Sequence, residues 1–282
     1  MVWMAEKYNL EPSCYDAFLE NHIYENRMLT LSEQINMMKR DIRLASMLGF
    51  KNFRTLVSTL MDVIEGRLEY AAQMDVKIGL EVHAPFSLNS GWADGYMDMI
   101  YKTGAKHFGF IPDMGIFCKN IPDVVRNKAR RHGATEECIK IGDDAYAKRI
   151  MEYRLANGMA EMMDDVKAAG GGQADLAYAG SSFTYSWSDP QDIIDYIDYI
   201  FHTHAKFYNM SEDYVETAVA IPEAVAAFKK ARYRGFLSSE YEGGEHLRAD
   251  CKRQVLFHIF YPPRIAPWGA IYRNGNSSFS FI

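Results

Sequence analysis

A chain of 282 residues, 48% of them hydrophobic, can bury a full core, and one α/β barrel of about 250 residues would use most of it as a single domain. The formal charge of −6 comes from 31 basic and 37 acidic residues without a basic block, which argues against a nucleic-acid partner. Four scattered cysteines, an N-terminus without a signal-peptide pattern and no apolar run near the ~18 residues of a membrane span predict a cytoplasmic protein with no membrane partner.

Short apolar segments alternate with helical stretches along the chain, a pattern typical of a parallel α/β sheet. The first strand is predicted from Lys7 to Ser13, and a helix from Thr30 to Leu48 begins with the capping pattern of Thr30 and Glu33. The predicted elements that follow are, in order, a strand at 52–57, a helix at 60–73, a strand carrying Glu81, a helix at 91–103 and a strand ending at Asp113.

The interval between Asp113 and His204 is far longer than one βα unit needs. Its helical stretches are predicted at 121–132, 138–156 and 158–168, followed by three glycines, a polar aromatic stretch at 181–187 and a helix at 190–199. We interpret residues 119–200 as an insertion over the barrel mouth, with an extra helical layer outside the barrel as an equal alternative. Residues 261–282 are predicted to be a tail that wraps the surface or is partly disordered.

Four potential metal ligands lie at or near the ends of short apolar segments. They are Glu81 in KIGLEVHAP, Asp113 in HFGFIPDMG, His204 in IFHTHAKF and Glu240 in GFLSSEYEGG. Each residue alone is more often a helix cap, a solvated loop residue or a satisfied core group. Their recurrence at strand ends, where an α/β barrel gathers its catalytic groups, predicts one divalent-cation site. Carboxylates with one imidazole suit Mn²⁺, the favoured ion, with Mg²⁺ and Co²⁺ as alternatives.

The strands that carry these residues resemble those of the xylose isomerase-like TIM barrels, the sugar phosphate isomerase/epimerase superfamily. The superfamily's HxHxK element matches His202 to Lys206, and its closing Glu strand matches Ser239 to Gly243. The resemblance implies a (β/α)8 barrel in which Glu, Asp, His and Glu from four successive strands surround one divalent cation.

Within that superfamily the chain is most similar to C-glycoside deglycosidase alpha subunits. The similarity lies in the strand end Glu81-Val82-His83-Ala84-Pro85, in the helical insertion after Asp113 and in Tyr241-Glu242-Gly243. It implies a lyase that cleaves the bond between C1 of a 3-oxo sugar and an aromatic carbon through a metal-stabilised enolate. It also implies a small β-rich partner subunit. One alternative is a ketose or sugar phosphate isomerase or epimerase that uses Glu81 and Glu240 as bases. The other is an inactive barrel retained for binding, and the four intact ligands argue against it.

Four further polar residues receive predicted roles. His83 lies two residues after Glu81 and therefore on the same strand face, where an imidazole serves as general acid and base or orients a carboxylate. His202 shares the face of His204 and is predicted to support it from behind. Lys206 and Glu242 are predicted to hydrogen-bond the substrate.

The chain departs from the superfamily in two respects. Met114 follows Asp113 where many relatives have a histidine. Counting the superfamily order backwards makes the Glu81 strand number five and the Lys7 strand number three, which predicts that the first two βα units are missing. We therefore expect about six barrel strands, an open edge between the first strand and the Glu240 strand, and poor solubility unless an upstream extension or a partner closes the gap.

Overall fold

The computed structural model describes residues 2–152, 158–243, 251–259, 272–273 and 276–277. The strands are β1 Tyr15–Asp16, β2 Asn52–Thr55, β3 Lys77–Val82, β4 Phe108–Pro112, β5 Thr203–Phe207, β6 Leu237–Tyr241, β7 Tyr272–Arg273 and β8 Asn276–Ser277. The α-helices are α1 Val2–Tyr8, α2 Leu31–Met47, α3 Met61–Glu65, α4 Leu68–Gln73, α5 Gly91–Thr103, α6 Asp123–Arg131, α7 Glu136–Glu152, α8 Gly158–Ala168, α9 Gln173–Ser181, α10 Asp192–Asp195, α11 Ile221–Lys230 and α12 Cys251–Ile259. Three 3₁₀ turns cover Met114–Ile116, Ser182–Thr184 and Ile197–Tyr199.

Six strands run parallel in chain order, which confirms the predicted α/β barrel type. β1 to β4 form one parallel sheet, β5 pairs with β6, and parallel bridges from Phe110 to Ile200 and from Asp113 to His204 connect β4 to β5. Within the described residues, β1 and β6 each pair on one side only. The absence of two βα units stays a prediction.

The central strands are buried because helices cover the sheet. All of β4 and all of β3 after Lys77 are buried, as expected for parallel strands with a near-continuous apolar sequence. The predicted start of α2 is confirmed: the Thr30 hydroxyl accepts from the Glu33 amide, and the Glu33 carboxylate accepts from the Thr30 amide. No helix in the described part of the chain combines the length and the apolar character that crossing a membrane requires.

The prediction of a first strand at Lys7 to Ser13 is wrong. Residues Val2–Tyr8 form α1, which closes where the Leu10 amide donates to the carbonyl of Ala5 and where Asn9 adopts a positive φ of 52°. The strand begins later, at Tyr15, where it pairs with Phe53. The stretch Ala5 to Tyr8 contains good helix formers, and this local preference decides its structure because no strand among the described residues pairs with it.

The predicted helix at 60–73 is divided into α3 and α4. Gly66 ends α3, and the Arg67 side chain donates from Nε to the carbonyl of Ile35 in α2 at 2.9 Å. A Cβ at Gly66 would lie 3.1 Å from the Ile35 side chain, so the small residue lets α2 approach closely. The contact with α2 therefore determines where the predicted helix is divided into α3 and α4.

The region between β4 and β5 contains one helix more than predicted. α9 begins directly after Gly170 to Gly172, where Asp175 accepts a hydrogen bond from the Gly172 amide, so the glycines precede a helix start instead of a loop. Helices α7, α8 and α9 enclose a small apolar cluster of Cys138, Met162, Val166 and Ala179. The predicted helix at 190–199 is α10 plus a 3₁₀ turn. The end of the predicted 138–156 helix, and the 261–282 tail apart from β7 and β8, lie outside the described residues.

Candidate active site

A cavity of about 690 Å³ opens at the carboxyl ends of β2 to β6. Thr184 and Tyr185, from the segment after α9, also line it, so part of the region between β4 and β5 faces the cavity, while Ile139 of α7 and Tyr178 of α9 pack into the main apolar core. The other lining residues are Phe18, Arg54, Leu56, Glu81, His83, Ala84, Asp113, Gly115, Lys206, Tyr208, Glu240, Tyr241, Glu242 and Cys251.

Three predicted ligands converge beside this cavity. Glu81, His204 and Glu240 each offer one ligand atom, and these atoms lie within 4.8 Å of one another. His204 Nδ1 lies 2.7 Å from Glu81 Oε1 and 3.5 Å from Glu240 Oε2. With metal–ligand bonds of about 2.0 to 2.3 Å, two atoms on one ion lie no more than about 4.6 Å apart, so small side-chain adjustments bring this set within ion-binding range.

Burial and mutual charge control the ionisation of these groups. Burial raises the pKa of Glu240 to about 7, and the neighbouring Asp113 carboxylate adds to the shift. Burial also acts to raise the pKa of Glu81, but the hydrogen bond from His204 and the Arg54 charge outweigh it and lower that pKa. For His204 burial opposes charging, yet Glu81 and Glu240 raise the imidazole pKa overall. Without an ion, the site therefore favours a protonated His204 between acidic groups.

Asp113 lies outside the three-residue group because it pairs with Lys206. Its Oδ2 is 2.5 Å from Lys206 Nζ, and its Oδ1 accepts from the Gly115 amide at 2.8 Å. Lys206 Nζ also lies 2.9 Å from Glu242 Oε1 and 3.8 Å from Glu240 Oε2. Although burial opposes charging of Lys206, Asp113 and the two glutamates raise its pKa, so the ammonium stays charged. A ligand role for Asp113 stays a prediction that requires it to exchange Lys206 for an ion.

Gly115 allows this arrangement by its size. A Cβ there would lie 2.9 Å from Lys206 Cδ and 3.1 Å from Asp113 Oδ1. Met114 and Gly115 thus lie in a 3₁₀ turn that Asp113 caps, since its side chain accepts from the Gly115 backbone N–H.

His83 lies directly after β3 on the cavity wall and is half-buried. Its Nδ1 is 2.8 Å from the carbonyl oxygen of Ala84. Because a carbonyl only accepts, Nδ1 carries the proton, and in the neutral ring Nε2 is the basic nitrogen. The Phe86 ring packs edge-on against the imidazole.

His202 is fully buried behind His204. The two rings meet edge-to-face with centroids 5.7 Å apart, and His202 Nε2 lies 2.9 Å from Ser238 Oγ on β6. Burial lowers the His202 pKa to about 3, with the charge of His204 adding to the shift, so this ring is neutral. It does not line the cavity.

The sequence did not single out Asp16 or Arg54, which the structure places behind the ligands. Arg54 lies 3.6 Å from Glu81 and 3.5 Å from Asp16, and Asp16 Oδ2 lies 3.8 Å from His204 Nε2. One signal was available: Arg54 is a charged residue inside a short apolar strand, and such residues are buried only when paired.

No protein-family model matches the chain. The chain is 29% identical over 248 residues to a C-glycoside deglycosidase alpha subunit from Arthrobacter globiformis, covering 87% of this chain and 68% of that protein. The predicted resemblance to C-glycoside deglycosidase alpha subunits is confirmed. A 3'-dehydrocarminate deglycosidase alpha subunit from a Microbacterium species is 25% identical over 246 residues, covering 85% of this chain and 71% of its own length. The expectation of an enzyme is confirmed at the same level, since these relatives are named as deglycosidases.

Among solved structures, 3-keto-D-glucoside 4-epimerase YcjR from E. coli matches with a TM-score of 0.47 and 14% identity, covering 91% of this chain and 80% of that one. The zinc-bound IolI protein matches with a TM-score of 0.47 and 13% identity, covering 97% of this chain and 82% of that one.

Proposed function

We propose that this chain is the metal-binding, catalytic subunit of a lyase that cleaves the carbon–carbon bond of 3-oxo C-glycosides. The observation that carries the proposal is the convergence of Glu81, His204 and Glu240 beside a cavity that His83 also lines. Relatives that are named as C-glycoside deglycosidase alpha subunits support the choice of substrate class.

The donor set fits a divalent ion. Glu240 Oε2 is buried, lies 3.5 Å from His204 Nδ1 and has no hydrogen-bond partner within the described residues, although buried polar atoms are normally satisfied. Two carboxylates and an imidazole form a donor set that suits Mn²⁺, whereas structural zinc is bound by thiolate-rich sets. A divalent ion bound there supplies positive charge that stabilises the enolate oxygen next to the reacting carbon.

His83 is proposed to move the protons. Its Nε2 takes a proton from C2 of the 3-oxo sugar to give the enolate, and the resulting imidazolium then protonates the aromatic carbon that is bonded to C1. The enolate electron pair forms the double bond between C1 and C2 as the bond from C1 to that protonated carbon breaks, so the products are an unsaturated 3-oxo sugar and the free aglycone. The balance needs no water and no oxidant. Lys206, held by Asp113 and Glu242, is proposed to donate a hydrogen bond to a sugar oxygen.

The test is to incubate purified chain with Mn²⁺ and a 3-oxo C-glycoside, and to follow free aglycone and unsaturated sugar by chromatography. We expect equal amounts of both products and reversible loss of turnover on chelation. Release of aglycone at the same rate without any divalent ion would contradict the proposal.

Replacing His83 separates proton transfer from ion binding. His83→Ala should lower turnover by ~10² to 10⁴, the range of a general acid/base, while the bound metal measured by atomic absorption is unchanged. His132→Ala, an exposed histidine at the end of α6, is the matched control and should keep full activity. If His83→Ala also lost the metal, His83 would be a ligand or its support and not the proton carrier.

Isomerisation or epimerisation of a free ketose is the second candidate. Burial raises the Glu240 pKa to about 7, which suits a carboxylate that accepts and returns a proton near neutrality. In this case Glu81 and Glu240 serve as bases as well as ligands. Interconversion of ketoses without aglycone release from any 3-oxo C-glycoside would favour this candidate.

We further propose a small β-rich partner subunit, because the relatives are named as alpha subunits and because β1 and β6 each have an unpaired side within the described residues. The test is the mass and stoichiometry of the complex purified through a tag on the full chain from its native cells. A second chain in fixed ratio whose addition raises turnover supports the proposal. Full turnover by the chain alone opposes it.

A further inference from the structure

A second set of charged side chains lies behind the proposed ion site, on β1 and β2. Arg54 Nε lies 3.5 Å from Asp16 Oδ1, and Arg54 Nη1 lies 3.6 Å from Glu81 Oε2. Asp16 Oδ2 lies 3.8 Å from His204 Nε2, while the other ring nitrogen of His204 bonds Glu81 at 2.7 Å. Asp16, Arg54, Glu81 and His204 thus form a closed ring of alternating acid and base, which we call the outer ring.

The outer ring is buried yet incompletely bonded. The side chains of Arg54, Glu81 and His204 are 7%, 5% and 3% exposed, and that of Asp16 is 20% exposed. Asp16 Oδ1, Arg54 Nε, Arg54 Nη1 and His204 Nε2 have no hydrogen-bond partner within the described residues. Each of these atoms instead faces a group of opposite charge, at 3.5 to 3.8 Å.

An ordinary buried ion pair does not explain this spacing. Leaving a buried donor unsatisfied and removing charges from water both cost free energy, so buried ion pairs persist when the geometry is good. The one short contact in the ring joins the two residues that the proposed ion separates, Glu81 Oε1 and His204 Nδ1. Their outer atoms, Glu81 Oε2 and His204 Nε2, face Arg54 and Asp16.

We propose that Asp16 and Arg54 are positioning residues for the ion site. Asp16 accepts the Nε2–H of His204, which leaves Nδ1 as the ligand nitrogen, and Arg54 holds Glu81 Oε2, which directs Oε1 to the ion. This inference rests on the proposed function only in that the ion binds at Glu81 and His204. A carboxylate on the far nitrogen of a metal-bound histidine fixes the ring and its tautomer, and losing such a partner weakens metal binding by about 10- to 100-fold.

Phe18 closes the ring on the cavity side. Its ring lies over the Arg54 guanidinium at 4.9 Å, and both residues line the cavity. The Arg54 side chain is 7% exposed although Phe18 is 67% exposed, so the interactions of Arg54 with Asp16 and Glu81 act in a low-dielectric environment and are strengthened.

The experiment measures the affinity for Co²⁺ and Mn²⁺ without substrate, by competition with a chromophoric chelator. Asp16→Leu, which removes the acceptor and keeps similar size, should weaken binding by about 10- to 100-fold. Asp16→Asn, which keeps an acceptor oxygen, should recover part of the loss. Asp41→Leu is the matched control, because Asp41 is also a buried aspartate beside an arginine, Arg40, but lies on α2 away from the cavity. It should leave the affinity within about twofold.

Arg54 is tested in the same way. Arg54→Met should weaken binding, and Arg54→Lys should be intermediate because an ammonium keeps the charge without the planar fork. Asp16→Leu combined with Arg54→Met should lose less than the product of the two separate losses, since both act through one ring. The nitrogen chemical shifts of His204 in the ion-bound protein give a direct readout: Nε2 protonated and Nδ1 bound.

The outcomes are decisive for the outer ring. Affinities within about twofold of the parent in both Asp16→Leu and Arg54→Met, or a His204 bound through Nε2, would overturn the inference. If Asp16→Leu does not fold, as judged by thermal unfolding, Asp16→Asn and Arg54→Lys carry the test. A parent that binds no ion overturns both this inference and the proposed function. A parent that binds the ion in an Asp16-dependent way but turns over no 3-oxo C-glycoside rejects the proposed function alone.

Discussion

Two buried cations face each other across the cavity and differ in how they are paired. On β5, Lys206 contacts Asp113 at 2.5 Å and Glu242 at 2.9 Å, so its charge is neutralised at hydrogen-bond distance. On β2, Arg54 contacts Asp16 and Glu81 only at 3.5 and 3.6 Å, and two of its nitrogens have no hydrogen-bond partner among the described residues. The Lys206 side is thus paired by Asp113 and Glu242, whereas we propose that an ion completes the pairing on the Arg54 side.

The largest expected effect lies on the complete side. Lys206→Met leaves Asp113, which is 1% exposed, without its cation and should lower the free energy of unfolding by about 3 to 5 kcal/mol in ion-free protein. Urea titration measures it. Lys167→Met, which removes an exposed lysine paired with Asp164, is the control and should cost less than about 1 kcal/mol. A cost of Lys206→Met as small as the control's would show that the two sides do not differ.

Ion binding should stabilise the protein through the Arg54 side and not through the Lys206 side. At a free Mn²⁺ concentration 100 times the dissociation constant, the parent should gain about 2.7 kcal/mol of unfolding free energy, and chelation should reverse the gain. Glu81→Gln should lose this gain because the ligand charge is removed. Urea titration with and without Mn²⁺ checks both. An equal gain in Glu81→Gln would place the ion elsewhere.

The loss of folding stability at low pH must be assigned to particular residues before the Lys206 and Arg54 sides are compared there. Burial lowers the pKa of His258, which stacks on Phe207 with centroids 4.2 Å apart, to about 4. Because the folded pKa lies below the usual value of about 6.5, the stabilisation is present above pH 6.5 and is lost as pH falls towards 4, by at most about 1.4 kcal/mol per pH unit. His258→Gln should reduce the slope of this part of the stability–pH curve without removing it, because burial also lowers the pKa of His202, to about 3. An unchanged slope would mean that His258 does not contribute.

The smallest expected effect concerns the second partner of Lys206. The Glu242 side chain is 48% exposed, so Glu242→Gln should change the free energy of unfolding by less than about 1 kcal/mol, although it removes a contact of 2.9 Å. A larger loss would show that Glu242 and not Asp113 neutralises Lys206.

The sequence predicted the strands around the site well where β3 and β4 are mostly apolar runs of five or six residues, since a buried parallel strand needs little else. Glu81 and Glu240 lie near the ends of β3 and β6 as predicted, whereas His204 is the second residue of β5 and reaches the same point from near the start of its strand. β1 was misplaced because it has only two residues, Tyr15 and Asp16, and carries no periodicity. What defines it is pairing with Phe53 and Arg54, a tertiary property.

Pairing between distant side chains was the other feature that the sequence could not supply. Asp113 and Lys206 both reach the cavity, but nothing in either segment indicates that they bind each other and so keep Asp113 out of the three-residue group. The pairing of Asp16 and Arg54 with His204 and Glu81 becomes recognisable only when β1, β2, β3 and β5 come together in the fold. The break at Gly66 has the same origin, since it depends on the contact with Ile35.

The most direct test of the central claim is a crystal structure of the protein with Mn²⁺, with data collected at the manganese absorption edge. We expect one anomalous peak, from an ion bonded at about 2.0 to 2.3 Å to Glu81, His204 Nδ1 and Glu240, with Asp16 hydrogen-bonded to His204 Nε2. The map would also decide whether Asp113 leaves Lys206 to join the ion. A peak elsewhere, or none among these three side chains at saturating Mn²⁺, would contradict the proposed ion site.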